Sequence, residues 1–439
     1  MTSESYFIEK LVPSGLGFSR NEDGQLTLID GVISGETVNA KIQSTHKKYS
    51  KGVATSITTP SPERIEAPCP YYKQCGGCDL QHMSYPCQLQ EKHTIIKNLL
   101  LESGNSSLCQ AADNLLSAPL ASPNPFHYRQ RIRLQVDDRQ ILGFHKRRSH
   151  ACVAIKSCLL ARPEINECLT ELVAQHSFNK LLRHSEALEI LSDPGSLSCS
   201  LLFHFKRKPR PADEQHGQAL ITTITGIKNI FFTGVGFAVT GRDSLSFDLP
   251  PLAPHTNKPL QLTFETGGFC QVNVEQNTTL VQTVLDFCNI TREENVLDLF
   301  CGMGNFSVPL AEQAKSVLGI EGQGSAIRSA RKNSENASQS NTEFLKRPIH
   351  AACTELAKSG KSYDCIVMDP PRQGVPGLAR MLAALSKKRL VFISCDPETL
   401  CRDLVDLLHH GFTLKKLQPI DMFPQTHHIE TVVLLEKVE

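Results

Sequence analysis

The chain has 439 residues, 40% hydrophobic and 21% charged, and its 46 Lys plus Arg nearly balance 45 Asp plus Glu for a net charge of +1. That composition suits a soluble globular protein of about three average domains and excludes a fibrous, disordered or membrane-spanning chain as a whole. The opening MTSESYFIEK has no apolar run behind basic residues, so a cytoplasmic protein is expected. Sixteen cysteines then read as metal ligands, nucleophiles or small buried groups in a reducing compartment, not as a disulfide framework.

Residues 1–60 predict a small β module, with strands at Phe7 to Leu11, Leu26 to Ile29 and Thr37 to Ile42 between glycine turns. A five-stranded barrel would close such short strands. Lys47, Lys48, Tyr49 and Lys51 place basic groups beside an aromatic ring, the pattern of a single-stranded nucleic-acid surface. A second region, 61–265, begins after Pro60 and Pro62 with Cys69, Cys75 and Cys78. Three thiols so close supply most of a soft-metal shell, which Cys87 or Cys158 would complete; spacing alone leaves zinc and iron–sulfur equally open. A helix is predicted over Gln88 to Leu101, then strands at Arg131 to Val136, Leu201 to Phe205 and Ile230 to Val239, with one helix around Glu167 to Leu182. Arg129, Arg131 and Arg133 alternate on a presumed strand and should share one phosphate-facing side. Phe144 through Arg148 add further basic and aromatic groups.

The third region, 266–439, alternates helices with apolar strands at Val296–Phe300, Ser316–Ile320, Asp364–Met368, Leu390–Ile393 and Thr431–Leu435, as a doubly wound α/β domain does. The first of these strands runs into Phe300-Cys301-Gly302-Met303-Gly304-Asn305, a turn whose glycines allow close backbone approach to a ligand. Glu321 ends the next strand, where it would receive ribose hydroxyls. Ser307 stands where a dinucleotide fingerprint needs its third glycine, which favours S-adenosylmethionine over a dinucleotide. Asp369-Pro370-Pro371-Arg372 follows a further strand and overlooks the same crevice. Arg372 replaces the aromatic that amine methyltransferases carry there, which argues against methylation of an exocyclic amine.

Cys395 follows a buried strand and Glu430 precedes the last one. Uracil C5 is a poor nucleophile toward a methyl sulfonium; addition of a thiolate at C6 makes C5 reactive, and a base must later remove the C5 proton. Cys395 and Glu430 are the candidates for those two tasks.

Together these motifs resemble the RlmD/RumA family of bacterial 23S ribosomal RNA uracil-C5 methyltransferases. The resemblance rests on Cys69, Cys75 and Cys78, Phe269 to Asn273, Asp298 to Asn305, Asp369 to Arg372, Ser394 to Pro397 and His428 to Glu430. It implies an N-terminal OB-like TRAM β-barrel, a central α/β RNA-binding region with an iron–sulfur segment, and a C-terminal Rossmann-like methyltransferase domain. By the same resemblance Cys158 would be the fourth ligand of a [4Fe–4S] cluster. Gln271, Phe300, Asn305, Glu321 and Asp369 would hold the donor, and Phe269 would help organise a flipped-out RNA segment. The implied partner is 23S ribosomal RNA, with no membrane and no obligate protein partner. The related tRNA enzymes generally lack the TRAM and cluster segments, which favours ribosomal RNA over tRNA. Asp396 departs from the family's asparagine, and Leu345 to His350 offers no counterpart for a further family asparagine. A noncatalytic iron–sulfur RNA-binding or assembly protein that retains a methyltransferase fold is the reading from another class.

Overall fold

In the computed structural model, residues 4–20, 24–241, 244–251 and 258–438 are described. The third region builds a seven-stranded sheet in the spatial order Thr342–Lys346, Ser316–Glu321, Asn295–Leu299, Tyr363–Met368, Ser386–Ser394, Glu430–Lys437, Phe412–Ile420. The first five strands are parallel, and Glu430–Lys437 runs antiparallel to both its neighbours. Strand side chains alternate between faces. Val296, Val367, Val391, Ile393 and Val432 accordingly enter one core, while Leu297, Ile366, Met368, Phe392 and Val433 enter the core on the other face. Burial on both sides explains why these strands read as continuous apolar runs. Four of the five predicted strands grow, and Thr342–Lys346 and Phe412–Ile420 are added at the edges, where polar residues had hidden them.

The helices Tyr85–Glu102 and Ser106–Asn114 contribute Ile96, Leu100, Leu108 and Ala112 to the second of those cores. Segments from before residue 115 thus cover the catalytic sheet. The hairpin Ser244–Leu249 and Leu260–Glu265 joins the first core through Leu245, Phe247, Leu262 and Phe264.

A second sheet of six strands runs in the order Ile227–Gly234, Ser198–Phe205, Ser185–Asp193, Arg131–Val136, Leu142–His145, Cys152–Ala154. Its core takes the helix Pro163–Val173, and the predicted single helix here is two, the second being His176–Leu182. The N-terminal module is a six-stranded sheet, ordered Glu4–Phe7, Thr37–Thr45, Ser50–Thr59, Leu26–Asp30, Gly17–Arg20, Lys10–Leu11. It has one strand more than the predicted five. Among the described residues no helix is long and apolar enough to cross a membrane.

The iron–sulfur segment expected within the second region is corrected. Cys69, Cys75, Cys78 and Cys158 line one cavity of about 270 Å³ with Tyr71, Tyr72 and Arg129. Yet among the described residues no group of three or more His, Cys, Asp or Glu is placed to hold a metal ion. Burial pushes Cys78 up to about 12 and raises Cys75 and Cys158 as well. The metal-binding character read from their spacing does not carry over.

The basic strand also differs from its expectation. Glu189, buried in the neighbouring strand, pairs with Arg131 and lies 3.8 Å from Arg133 and 2.7 Å from His204. Arg129 turns toward the cysteine cavity. A carboxylate far along the chain thus offsets one of the three charges of what looked like a free cationic face, that of Arg131.

Candidate active site

The strand order reverses between Asn295–Leu299 and Tyr363–Met368, so the crevice outside their carboxyl ends is the place where a sheet of this kind binds ligands. The turn Phe300 to Asn305 lies there. Phe300 takes φ of 61°, a strained value for an aromatic residue that marks a backbone held in an imposed shape. Gly302 has φ of 55°, and a Cβ on it would meet nothing within 4 Å, leaving open space above the backbone. Asn305 is fixed from behind: its amide donates to Asn277 Oδ1 at 3.0 Å, and the Asn277 amide donates back at 2.8 Å. Glu321 ends the adjacent strand and accepts from the Gln323 N–H at 2.8 Å. Gln271, nearly buried, sits in the loop before the helix Val274–Cys288, and Phe269 in the same loop is 63% exposed.

Strand alternation carries four ionisable side chains to one face. Asp298 follows Val296 by two, Asp369 follows Val367, Cys395 follows Ile393, and Glu430 precedes Val432. Ser394 pairs with Thr431, so Cys395 and Glu430 occupy the next cross-strand position. Their fields overlap. Cys395 is pushed up to about 12 by burial and then by the Glu430 and Asp369 carboxyls, with Arg372 pulling the other way. Burial, reinforced by Asp369, raises Glu430 well above the usual carboxylate range, again opposed by Arg372. Asp369 is pushed up to about 7 by burial. Asp298 also reaches about 7 through burial, its Oδ2 accepting from the Ser307 hydroxyl while Oδ1 is left without a partner. An orphaned buried carboxyl oxygen beside an open glycine turn suits a ligand bearing hydrogen-bond donors, as the ribose and amino groups of S-adenosylmethionine are.

Arg372 is the cation of this cluster, and sequence reasoning had used it only to argue against amine methylation. Its guanidinium donates to His428 Nε2 at 3.1 Å. Burial and the neighbouring His427 and Arg372 push His428 down to about 3, so it is the neutral acceptor that this contact needs. Asp298 was counted in the sequence motif but given no role, although a lone Asp inside an apolar strand was the available signal.

Asp396 has a structural task. Its Oδ1 accepts from the N–H groups of Glu398 at 3.1 Å and Thr399 at 2.9 Å, capping the helix Pro397–His409. Asp and Asn cap equally well, which accounts for the exchange.

The loop leading into Glu430 is clamped from several sides. Lys92 Nζ donates to Asp421 Oδ1 at 2.7 Å, both side chains wholly buried. The Gln88 amide donates to Gln425 Oε1 and its Oε1 accepts the Gln425 N–H, each at 2.9 Å. Tyr128 Oη donates to Pro424 O at 3.0 Å, and Asp79 pairs with His427 at 2.6 Å. The cysteine-rich segment and the following helix therefore hold the last strand's entry in place.

Comparison with known proteins agrees with this architecture. The family model described as tRNA (Uracil-5-)-methyltransferase matches residues 84–438. The Shewanella sediminis 23S rRNA (uracil(1939)-C(5))-methyltransferase RlmD is 33% identical over 437 residues, covering 98% of this chain and 95% of that protein. The Vibrio parahaemolyticus protein of the same name is 31% identical over 435 residues, with 98% and 95% covered. The crystal structure of Pyrococcus abyssi tRNA (uracil-54, C5)-methyltransferase in complex with S-adenosyl-L-homocysteine superposes with a TM-score of 0.71 at 22% identity, covering 98% of this chain and all of that one. That tRNA enzyme shares the fold along nearly the full length, so the N-terminal regions do not by themselves separate ribosomal RNA enzymes from tRNA enzymes, contrary to the sequence expectation. By family match and by identity over its whole length, the chain belongs to the RlmD/RumA family and is an S-adenosylmethionine-dependent RNA uracil-C5 methyltransferase.

Proposed function

We propose that the protein methylates C5 of a uracil in 23S ribosomal RNA, the reaction named for its full-length relatives at uracil 1939. The observation that carries the chemistry is the cross-strand placement of Cys395 and Glu430 at the mouth of the donor crevice. S-adenosylmethionine, when bound, supplies an electrophilic methyl group on sulfur. Gln271, Phe300, Asn305, Glu321 and Asp369 are the residues proposed to hold it.

Cys395 Sγ adds to uracil C6, and the C5=C6 electron pair moves toward the O4 carbonyl, making C5 the nucleophile. Once C5 carries the methyl group, the Glu430 carboxylate takes the C5 proton and the C6–S bond breaks, returning its electron pair to sulfur. In the free protein the thiol and the Glu430 carboxyl both favour their neutral forms; Arg372 is the group whose charge favours the thiolate and carboxylate that catalysis needs. A base in duplex or folded RNA reaches such a pocket only when flipped out, and exposed Phe269 at the rim supports contact with that unstacked segment.

The proposed divisions are 1–60, 61–265 and 266–439, and the proposed compartment is the cytoplasm, where the sixteen unpaired thiols would stay reduced. Mass mapping of 5-methyluridine in ribosomal RNA after gene deletion and complementation tests activity and target together. Loss of one 23S modification, restored by the gene, is the expected result; loss from tRNA alone would contradict the target.

A further inference from the structure

Arg372 is the cation of the Cys395 and Glu430 cluster, yet its side chain is exposed and long enough to swing away from both. Its backbone is anchored, because Arg372 O accepts from Thr399 Oγ1 at 2.9 Å in the helix that follows Cys395. Its guanidinium has one side-chain hydrogen-bond partner among the described residues, His428 Nε2 at 3.1 Å. The charge therefore stays near the reacting groups only while His428 holds still.

His428 is in turn fixed by its neighbours. The His427 ring lies 4.1 Å from it, centroid to centroid, and Phe423 meets it edge-on at 5.9 Å. His427 Nδ1–H donates to Asp79 Oδ2 at 2.6 Å, across 348 positions of sequence. The N-terminal module also closes on His427. A Cβ on Gly15, at φ of 73°, would meet His427 Cβ at 2.9 Å, so only glycine leaves the space this packing takes. Docking of the cysteine-rich loop does not depend on the Asp79 side chain, since the Asp79 and Leu80 N–H groups both donate to Gln425 O at 3.0 Å. What the carboxylate adds is the orientation of one imidazole.

We infer that Asp79 and His427 are positioning residues for methyl transfer: Asp79 orients the His427 ring, His427 packs His428 in place, and His428 keeps the Arg372 guanidinium beside Cys395 and Glu430. The cysteine-rich segment thereby reaches the reacting groups through a carboxylate and two imidazoles. This inference rests on the reading of Arg372 as the cation that favours the reactive forms of Cys395 and Glu430.

The test uses the full-length protein and two readouts. Iodoacetamide labelling of Cys395 needs no RNA, while kcat and KM are measured with S-adenosylmethionine and a 23S fragment containing the target uridine. Asp79→Leu removes the acceptor and His427→Ala removes the ring. Each should slow labelling about threefold and lower kcat about tenfold, with KM for RNA changed by less than about twofold. The double variant should be no worse than the worse single, since both break one chain of contacts. Asp79→Asn keeps an oxygen for the His427 Nδ1–H and should stay within about twofold of the wild type in both readouts. Thermal unfolding identifies any variant that does not fold, and either single variant then decides. Wild-type labelling and kcat in folded Asp79→Leu or His427→Ala, beside a slowed Arg372→Ala, would overturn the positioning chain. Equal losses in Asp79→Asn and Asp79→Leu, or a KM that rises in step with the fall in kcat, would overturn it too. Wild-type labelling and kcat in Arg372→Ala would instead overturn the reading of Arg372 itself.

Discussion

Cys395 and Glu430 stand one step beyond the Ser394–Thr431 pair of an antiparallel ladder. Residues opposite each other in such a ladder put their side chains on the same face, close enough to interact. The antiparallel insertion of the last strand achieves this. It brings the amino end of Glu430–Lys437 to the edge where the parallel strands end, so a carboxyl 35 positions away in sequence, the proposed base, comes next to the proposed nucleophile.

Arg372 should govern the reactivity of that nucleophile. Removing the guanidinium removes the charge that opposes the rise of the Cys395 thiol. Arg372→Ala should therefore slow iodoacetamide labelling of Cys395 at pH 8 roughly three- to tenfold, followed by peptide mass mapping. Labelling at the wild-type rate or faster would mean that Arg372 does not act on the thiol.

Asp298 gives a stability signature. Its carboxyl is raised from 3.8 to about 7 in the fold, so its contribution to stability is present at pH below the unfolded value and is lost as pH rises through 7. Asp298→Asn should raise the stability of the free protein relative to wild type by an amount that grows between pH 4 and pH 8, by on the order of 4 kcal/mol at the limit. Thermal unfolding across that range checks it. A difference independent of pH would show that Asp298 is not held neutral.

The buried Lys92–Asp421 pair predicts a non-additive pattern. Burial lowers Lys92 from its ordinary range, and Asp421 is its compensating charge. Lys92→Met alone should cost about 3–5 kcal/mol by leaving Asp421 buried without its cation, while Lys92→Met with Asp421→Leu should recover much of that loss. Additive losses in denaturant unfolding would contradict the pairing.

Much of the catalytic half was legible because its strands are buried on both faces and read as unbroken apolar runs. The turn at Phe300 to Asn305, the Asp369 loop and Cys395 were found by their position after such runs. What the sequence hid depended on distant partners. Glu189 neutralises Arg131 from another strand, and nothing beside Arg131 announces it. The strands Gly17–Arg20 and Ser50–Thr59 are rich in small and polar residues and lack a clear alternation. The three close cysteines carried a strong local signal for metal, but among the described residues no group of three or more His, Cys, Asp or Glu is placed to hold an ion.

Intact-complex mass spectrometry under denaturing conditions tests the division of labour between Cys395 and Glu430 most directly. With donor and RNA supplied, Cys395→Ala should give neither product nor covalent adduct. Glu430→Gln, which keeps size but removes the proton acceptor, should accumulate protein linked to methylated RNA. Product formation by folded Cys395→Ala, or full turnover without adduct by Glu430→Gln, would contradict the account.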